Sequence, residues 1–300
     1  MMRIAYLMLV HKNPQLQKRA VETLTSDHSA FFIHIDRKAD IRQFSSISGD
    51  NIFFAEHRIP VYWGEFSQVE ATMLLVRQAL ASCVNYDYLV FSTGSDYPIR
   101  SGRYIQKFFE ENRGSEFISL VRIPAPGYPL SKINRLRYPS SKPIRRFALR
   151  TLAKLGLAQR DYRKHIGSVV AYAGHGSWAL SRSACQYIVE EMTLKPYLEV
   201  YFRTTFTSDE MFFHTILGNS PFRPRIRRSL VYVDWSAPGR HPALLTERHV
   251  RSFETLDKVS VEDEWGCGEM LFARKFSDEN LELLDRVDEM IRRKEGRSDA

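Results

Sequence analysis

The chain has 300 residues, of which 44% are hydrophobic and 26% are charged, and its formal net charge is +8 at pH 7. This composition is typical of a folded protein with a sizeable core, and the sequence contains no run of about 18 apolar residues that would cross a membrane. Three widely spaced cysteines form neither a disulfide framework nor a metal-ligand pattern, so we expect a reducing, cytoplasmic setting. The short apolar run after Arg3 lacks a small-residue cleavage site, which favours a buried strand over a signal peptide.

Strand-like and helix-like segments alternate through the first 121 residues. Apolar runs predict strands at 3–10, 30–36, 51–55, 86–93 and 116–121, and apolar residues at helical spacing predict helices at 15–24, 66–81 and 102–112. This order predicts an α/β fold with a largely parallel sheet, whose ligand lies at the carboxyl ends of the strands. Three polar residues stand at those ends, namely His11, Asp36 and Asp96.

The segment 122–167 is rich in proline and in basic residues. Eleven lysines and arginines lie between Lys132 and Lys164, and Asp161 is the only acidic residue among them. Such a segment suits an anionic partner such as nucleic acid or anionic lipid, or it is a solvated variable insertion. Few aromatic residues are interleaved with the charges, which disfavours a base-stacking surface, so we expect peripheral contact with the inner face of a membrane.

The second half of the chain continues the alternation. It predicts strands at 168–173 and 230–233, a tight turn at 174–176, helices at 182–192 and 278–294, and a loop at 234–239. We expect a single domain, 1–300, made of a nucleotide-binding half (1–121), a basic variable insertion (122–167) and an acceptor and catalytic half (168–300).

The segment 207–218 predicts a short helix with both ends marked. Ser208 is a suitable N-cap and Gly218 a suitable C-terminal stop, which places Asp209 and Glu210 in the first turn. The helix dipole favours an ionised carboxylate there. Such a carboxylate can be a general base, and it can equally be ordinary compensation of the helix dipole.

The common cofactor and metal motifs are missing from the sequence. It contains no dinucleotide-binding glycine pattern after a strand, no phosphate-binding loop, no His-Glu-x-x-His and no Cys-x-x-Cys. No Asp-x-Asp pair, which metal-dependent sugar-nucleotide enzymes commonly use, occurs in the sheet half. We therefore expect neither a bound metal nor a cofactor.

Nine short motifs occur in an order that resembles the core-2/I-branching glycosyltransferases, a superfamily that also contains the peptide O-xylosyltransferases. They are AYLMLVH (5–11), IHIDRK (33–38), WG (63–64), GSDYPI (94–99), GSWAL (176–180), DEMFFHT (209–215), DW (234–235), HVRS (249–252) and LFARKF (271–276). The resemblance implies a GT-A-like fold, a Rossmann-type mixed sheet flanked by helices, and inverting, metal-independent transfer from a UDP-sugar.

The resemblance also implies roles for individual residues. Val10, His11 and Asp36 would lie at the nucleotide, and Asp96 near the donor sugar or the acceptor. Glu210 matches the family's catalytic base, which leaves Asp209 as the dipole partner. Arg251 and Lys275 match the basic pair that binds the diphosphate in place of a metal. This division suits the chemistry, because inverting transfer needs one base for the acceptor hydroxyl and positive charge at the departing UDP.

Alternatives remain open for several of these residues. Arg251 can close a surface helix, Lys275 can be a strand-edge charge, and Asp96 can cap a turn. The tryptophans Trp63, Trp178 and Trp235 can stack on sugar rings or belong to the core, and we select Trp178 and Trp235 as acceptor-binding residues.

The donor and the acceptor are less closely defined. An aromatic pair follows Glu210 after one residue, as in the xylosyltransferase variant, so the donor sugar is xylose or N-acetylglucosamine. The acceptor is a hydroxyl of a glycan, a lipid-linked saccharide or a protein. Secreted family members have a membrane anchor and many disulfides, and their absence here implies a cytoplasmic bacterial member. The alternative from another class is a basic protein that binds nucleic acid or an anionic surface without catalysis.

Overall fold

The computed structural model describes residues 2–140, 143–154, 158–237 and 241–298. Lys142 of the basic stretch and the last two residues of the predicted 234–239 loop lie outside these ranges. The strands are β1 Ile4–Val10, β2 Ser29–Ile35, β3 Ile52–Phe54, β4 Tyr88–Thr93, β5 Tyr97–Pro98, β6 Glu116–Ile118, β7 Val121–Arg122, β8 Tyr172–Ala173, β9 Trp178–Ser181, β10 Ile226–Arg227, β11 Val231–Val233, β12 Ser260–Asp263, β13 Gly266–Glu269 and β14 Phe272–Arg274.

The helices pack on both faces of the sheet. They are α1 Pro14–Leu24, α2 Ser67–Ala81, α3 Gly102–Glu111, α4 Leu130–Asn134, α5 Pro143–Lys154, α6 Arg163–Ile166, α7 Arg182–Leu194, α8 Pro196–Phe202, α9 Phe212–Gly218, α10 Glu247–Thr255 and α11 Leu281–Ser298, with 3-10 helices at Ile41–Phe44, Ser208–Glu210 and Arg223–Arg225. No helix in the described ranges has the length and apolar character needed to cross a bilayer.

Seven strands form the main sheet, in the order β10-β6-β9-β4-β1-β2-β3. Every neighbouring pair in it is parallel except the two pairs made by β9, which runs antiparallel to β4 and to β6. The predicted α/β class and the mixed sheet flanked by helices are thus confirmed. β1 is buried over its whole length, as the continuous apolar run predicted, because helices cover both faces of the sheet.

Alternate residues of β1 enter two separate hydrophobic clusters. Tyr6 and its even-numbered neighbours pack with residues of α1, α10 and α11. Leu7 and its odd-numbered neighbours pack with residues of α2, α7 and α9. This division follows from the twofold alternation of side chains along a strand. Because β1 is parallel to both β2 and β4, the carboxyl ends of these strands lie along one edge of the sheet, where the connecting loops can hold a ligand.

A second sheet, of β11, β14 and β5, extends this edge. β14 is parallel to β11 and antiparallel to β5, pairing Ala273 with Tyr97. The backbone N–H of Phe276 donates to the carbonyl of Ser95 at 2.9 Å. Because of these contacts, Arg274 at the end of β14 and the residues that follow it lie beside Asp96, although 178 positions separate Asp96 from Arg274 in the chain.

The predicted helix at 207–218 is divided in two. The 3-10 helix Ser208–Glu210 ends at Met211, whose φ of −132° is not helical, and α9 begins at Phe212. The N-cap prediction for Ser208 is wrong, because its hydroxyl is buried without a hydrogen-bond partner among the described residues. Gly218 is the last residue of α9, and its role is packing: a Cβ there would lie 2.3 Å from the Tyr172 ring.

Candidate active site

Glu210 sits where two loops meet the 3-10 helix. The N–H of Gly174 donates to the Glu210 carbonyl at 2.9 Å, and the N–H of Thr207 donates to the carbonyl of Gly64 at 2.8 Å. The Glu210 side chain is half-buried, and its Oε2 lies 3.0 Å from Nζ of Lys132, which comes from α4. The backbone is therefore fixed from two sides, while the carboxylate stays accessible and carries a paired cation.

Asp209 occupies a different environment from its neighbour. Its Oδ2 accepts a hydrogen bond from Nε2 of Gln68 at 3.3 Å, and its Oδ1 is enclosed without a partner among the described residues. Burial, and then the charge of Glu210, raises the pKa of Asp209 to about 7. The expectation that Asp209 merely compensates the helix dipole does not fit these contacts, because burial dominates its ionisation.

Tyr128 lies against both carboxylates. Its hydroxyl donates to the carbonyl of Gly174 at 3.1 Å, and Nζ of Lys132 lies 4.2 Å from the centre of its ring. Burial, and then the charges of Glu210 and Asp209, raises the pKa of Tyr128 well above its usual value, so the phenol is neutral. The stretch from β7 through α4 thus supplies two side chains to the site, Tyr128 and Lys132, although the sequence predicted it as part of a variable insertion.

Three aromatic side chains, His175, Trp235 and Trp265, form a surface that we name the aromatic wall. The His175 ring is nearly parallel to Trp235 at 6.1 Å and lies 5.2 Å from Trp265. Burial, and then Arg228, lowers the pKa of His175 to about 4, so its ring is neutral at pH 7. Trp235 is 54% exposed, which leaves its face free for an apolar sugar surface.

Close backbone approach connects the aromatic wall to the acids. His175 stands between Gly174 and Gly176, and a Cβ at Gly174 would lie 1.8 Å from the Ser119 carbonyl oxygen. At Gly176 a Cβ would lie 3.4 Å from Oδ2 of Asp209. Only glycine fits at residue 174, and this loop consequently holds the aromatic wall next to Asp209 and Glu210.

Trp178 belongs to the core instead. It is 2% exposed, and its ring lies 5.4 Å from Phe91 and 5.6 Å from Phe213. It lies on β9, between β4 and β6, and its ring belongs to the hydrophobic cluster on the α2, α7 and α9 side of the sheet. This position does not support the predicted contact with an acceptor.

Lys12, Arg274 and Lys275 form a group near Asp96 that we name the cationic cluster. Oδ2 of Asp96 accepts the backbone N–H of Thr93 at 2.7 Å, and Oδ1 lies 3.2 Å from Nε of Arg274. Burial first, then the charges of Arg274 and Lys12, lowers the pKa of Lys275, so Lys275 lies within electrostatic range of the other two cations. Such a cluster, only partly neutralised by Asp96, is suited to an anion with more than one charge.

The nucleotide-side residues lie at the ends of β1 and β2. Asp36 is buried; its Oδ1 accepts the N–H groups of Lys38 at 2.9 Å and Val61 at 3.3 Å, and its Oδ2 lies 3.2 Å from Nζ of Lys38. Val10 is the buried last residue of β1. Burial of the His11 ring, and then the positive charge of Lys12, lowers the pKa of His11. These positions agree with the predicted strand-end placement, while contact with a nucleotide stays a prediction.

Arg251 is exposed on α10. Its side chain is 69% exposed on α10 and pairs with Glu247 at 3.0 Å, and Glu247 also pairs with Arg286 at 2.9 Å. The buried side of this helix is formed by Val250 and Phe253. The structure therefore brings Lys275 near Asp96, with Arg274 beside both, and places Arg251 on the exposed side of α10. A contact of Arg251 with the diphosphate stays a prediction.

Several site residues were absent from the sequence prediction. Lys12 and Arg274 directly adjoin predicted residues, so their position beside His11 and Lys275 was a usable signal. Lys132 and Tyr128 gave none, because only the fold brings them to Glu210. Within the described ranges, no group of three or more histidine, cysteine or acidic side chains is arranged to hold a metal ion.

Comparisons with known proteins agree with the motif order. The family model "Core-2/I-Branching enzyme" matches residues 4–259, a range that includes Asp96 and Glu210 and ends before Lys275. Xylosyltransferase 2 of Rattus norvegicus is 24% identical over 229 residues, which are 74% of this chain and 25% of the relative. N-acetyllactosaminide beta-1,6-N-acetylglucosaminyl-transferase of Mus musculus is 23% identical over 221 residues, 71% of this chain and 52% of the relative. The chain thus spans a quarter to about half the length of these relatives.

Proposed function

Because the chain belongs to the Core-2/I-branching enzyme family, we propose that it is a glycosyltransferase that uses a UDP-sugar. The observation that carries this proposal is the half-buried Glu210, whose backbone carbonyl bonds to Gly174 next to His175 of the aromatic wall. Its neighbour Asp209 lies within electrostatic range of Arg274 of the cationic cluster. The names of the relatives point to xylose or N-acetylglucosamine as the transferred sugar. The acceptor in the proposal is a hydroxyl of a glycan, a lipid-linked saccharide or a protein.

The proposed reaction is a single displacement with inversion. The carboxylate of Glu210 takes the proton of the acceptor hydroxyl, whose oxygen forms a bond to the anomeric carbon. The bond between that carbon and the diphosphate oxygen breaks, and its electron pair leaves with UDP. One carboxylate is sufficient for this chemistry, because the leaving diphosphate needs charge stabilisation more than it needs a proton.

The cationic cluster supplies that charge in the proposal. Lys275 and Lys12 act as point charges on the diphosphate, and Arg274, which already contacts Asp96, contributes a planar donor. Val10, His11 and Asp36 lie on the uridine side, and Asp96 faces the donor sugar. Metal-independent transfer remains part of the proposal, and it rests on these three cations.

The acceptor lies on the aromatic wall in this scheme. The exposed face of Trp235 stacks on a sugar ring, and the neutral His175 and Trp265 rings support Trp235 from behind. Trp63, 57% exposed, lies 5.3 Å from Phe206, which precedes the 3-10 helix, and offers a second exposed aromatic ring. Both faces are of the kind that binds the C–H side of a pyranose.

A nucleotide panel tests the proposal. Thermal shift with uridine, guanosine and adenosine diphosphates should show stabilisation by UDP alone, and UDP release from UDP-xylose or UDP-N-acetylglucosamine should continue in EDTA. Absence of any response to uridine nucleotides would contradict the transferase assignment. Loss of activity in EDTA, with recovery on adding Mn²⁺, would contradict only the metal-independent part.

A further inference from the structure

Helix α5 exposes large apolar side chains on one face. Ile144 is 84% exposed and Phe147 is 73% exposed, while Leu149 on the other side of the helix is 8% exposed. Ile144, Phe147, Ala148 and Thr151 follow one another at helical spacing i, i+3, i+4 and i+7, so these four uncharged side chains share one face. No described residue covers Ile144 or Phe147 from outside.

The net positive charge of the chain comes from the segment that contains this helix. Residues 132–164, the basic segment, hold eleven of the 43 basic residues and one of the 35 acidic residues. The rest of the chain has 32 basic and 34 acidic residues, so the entire positive excess lies in the basic segment. Arg145 on α5 is exposed. For Arg146, Arg150 and Lys154 the structure describes the helical backbone only.

We propose that α5 docks on an anionic lipid bilayer, with Ile144 and Phe147 inserted at the boundary of headgroups and acyl chains. An exposed apolar face within a strongly basic segment is the combination that binds an anionic membrane interface. A second copy of the chain fits less well, because it would bring two basic segments together. A nucleic acid fits less well because Tyr138 lies 5.9 Å from the Arg145 guanidinium and Tyr162 is buried, which leaves few rings for base stacking.

The basic segment also contacts the candidate active site. Lys132 pairs with Glu210 at 3.0 Å, and the N–H of Ser140 donates to Oε1 of Glu65 at 2.8 Å. The guanidinium of Arg137 stacks on Phe206 at 3.7 Å. The same basic segment therefore carries both the proposed docking helix α5 and a side chain of the candidate active site. The docking proposal itself does not depend on the transferase activity.

Vesicle co-sedimentation tests the proposal. At low ionic strength the full chain should bind phosphatidylserine–phosphatidylcholine vesicles at least about tenfold more strongly than phosphatidylcholine vesicles, and high salt should weaken the binding. The double variant Ile144→Ser, Phe147→Ser should lose about tenfold in binding to the anionic vesicles. Equal binding to both kinds of vesicle, or no binding to either, would overturn the proposal.

A matched pair of exposed apolar residues provides the control. Leu194 is 73% exposed and Val200 is 69% exposed, on α7 and α8. The variant Leu194→Ser, Val200→Ser removes comparable apolar surface and should bind like the wild type. If both double variants weaken binding equally, α5 is not the docking element. Circular dichroism melts of both variants should match the wild type, because all four side chains point into solvent.

The other occupants give distinct results. Light scattering would reveal a dimer that the Ile144→Ser, Phe147→Ser variant dissociates, and a gel shift with a single-stranded oligonucleotide would reveal a complex that the same variant loses. If either complex forms and the chain does not bind vesicles, the bilayer proposal is overturned and that partner is the one that docks on α5. The sedimentation assay needs no turnover, so an inactive preparation that still binds anionic vesicles would separate this proposal from the proposed function.

Discussion

Replacing Glu210 by glutamine removes the proposed base while keeping the shape of the side chain. The ion pair with Lys132 joins side chains that are 29% and 24% exposed, so solvent screens it and its loss costs at most about 1 kcal/mol of folding free energy. The backbone bond from Gly174 to the Glu210 carbonyl does not involve the side chain. The variant should therefore fold normally and bind UDP normally.

Transfer should be strongly reduced in Glu210→Gln. Loss of a general base lowers the rate by about 10²–10⁴-fold, which corresponds to roughly 3–5 kcal/mol in activation free energy. The assay measures kcat for transfer from UDP-xylose and UDP-N-acetylglucosamine together with the Kd for UDP by calorimetry. Glu199→Gln is the matched control, because Glu199 also pairs with a cation, Arg203 at 2.6 Å, on the outer helix α8.

Two results would refute this assignment. A wild-type rate in Glu210→Gln would exclude Glu210 as the base. A loss of UDP affinity as large as the loss of rate would show that the substitution distorts the site. An unchanged rate in Glu199→Gln is needed for either comparison, since it shows that removing a paired carboxylate is not harmful in itself.

Three further predictions use the same structure. Lys275→Ala should weaken UDP binding by about 1.5–3 kcal/mol, the usual worth of a hydrogen bond to a charged group, whereas Arg251→Ala should leave the calorimetric Kd unchanged. Equal losses in the two variants would contradict the placement of the cationic cluster. The pKa of Asp209 in the folded protein, about 7, exceeds its value in the unfolded chain, so the stability of the wild type should fall as pH rises from about 4 to 7. The fall should be at most about 4 kcal/mol in denaturant titrations. Asp209→Asn cannot titrate and should flatten this pH dependence. If the stability of Asp209→Asn falls with pH in parallel with that of the wild type, Asp209 is not the group responsible. Gly174→Ala should lower the melting temperature and the rate together, because its Cβ would meet the Ser119 carbonyl at 1.8 Å; a wild-type melt would contradict the close packing.

The alternation of elements was predictable because each signal is local. The apolar run 3–10 became Ile4–Val10, and the helical spacing in 66–81 became Ser67–Ala81. The antiparallel direction of β9 was not predictable, because strand direction depends on the path of the preceding 50 residues. The helices α4 and α5 were missed because prolines around them indicated only loops. They now hold Lys132 and the exposed face of Ile144.

The site shows the same division between local and distant information. Motif order identified the family, and the family match over 4–259 confirms it. Periodicity could not show which face of α10 carries Arg251, nor that the residue after β14 would lie beside Asp96. A lone tryptophan likewise does not indicate its exposure: Trp235 is 54% exposed and Trp178 is 2% exposed, although both belong to motifs of the same family.

Asp209 and Glu210 show most directly how environment decides between neighbouring acids. Both lie in one three-residue 3-10 helix, so a helix-dipole argument treats them alike. Their contacts differ: Gln68 and an enclosed oxygen surround Asp209, whose pKa rises to about 7, whereas Lys132 meets the accessible carboxylate of Glu210. Two adjacent carboxylates in unlike surroundings can take different proton-transfer roles. A proton held on Asp209 also removes a negative charge beside Glu210, so the buried acid supports the accessible one.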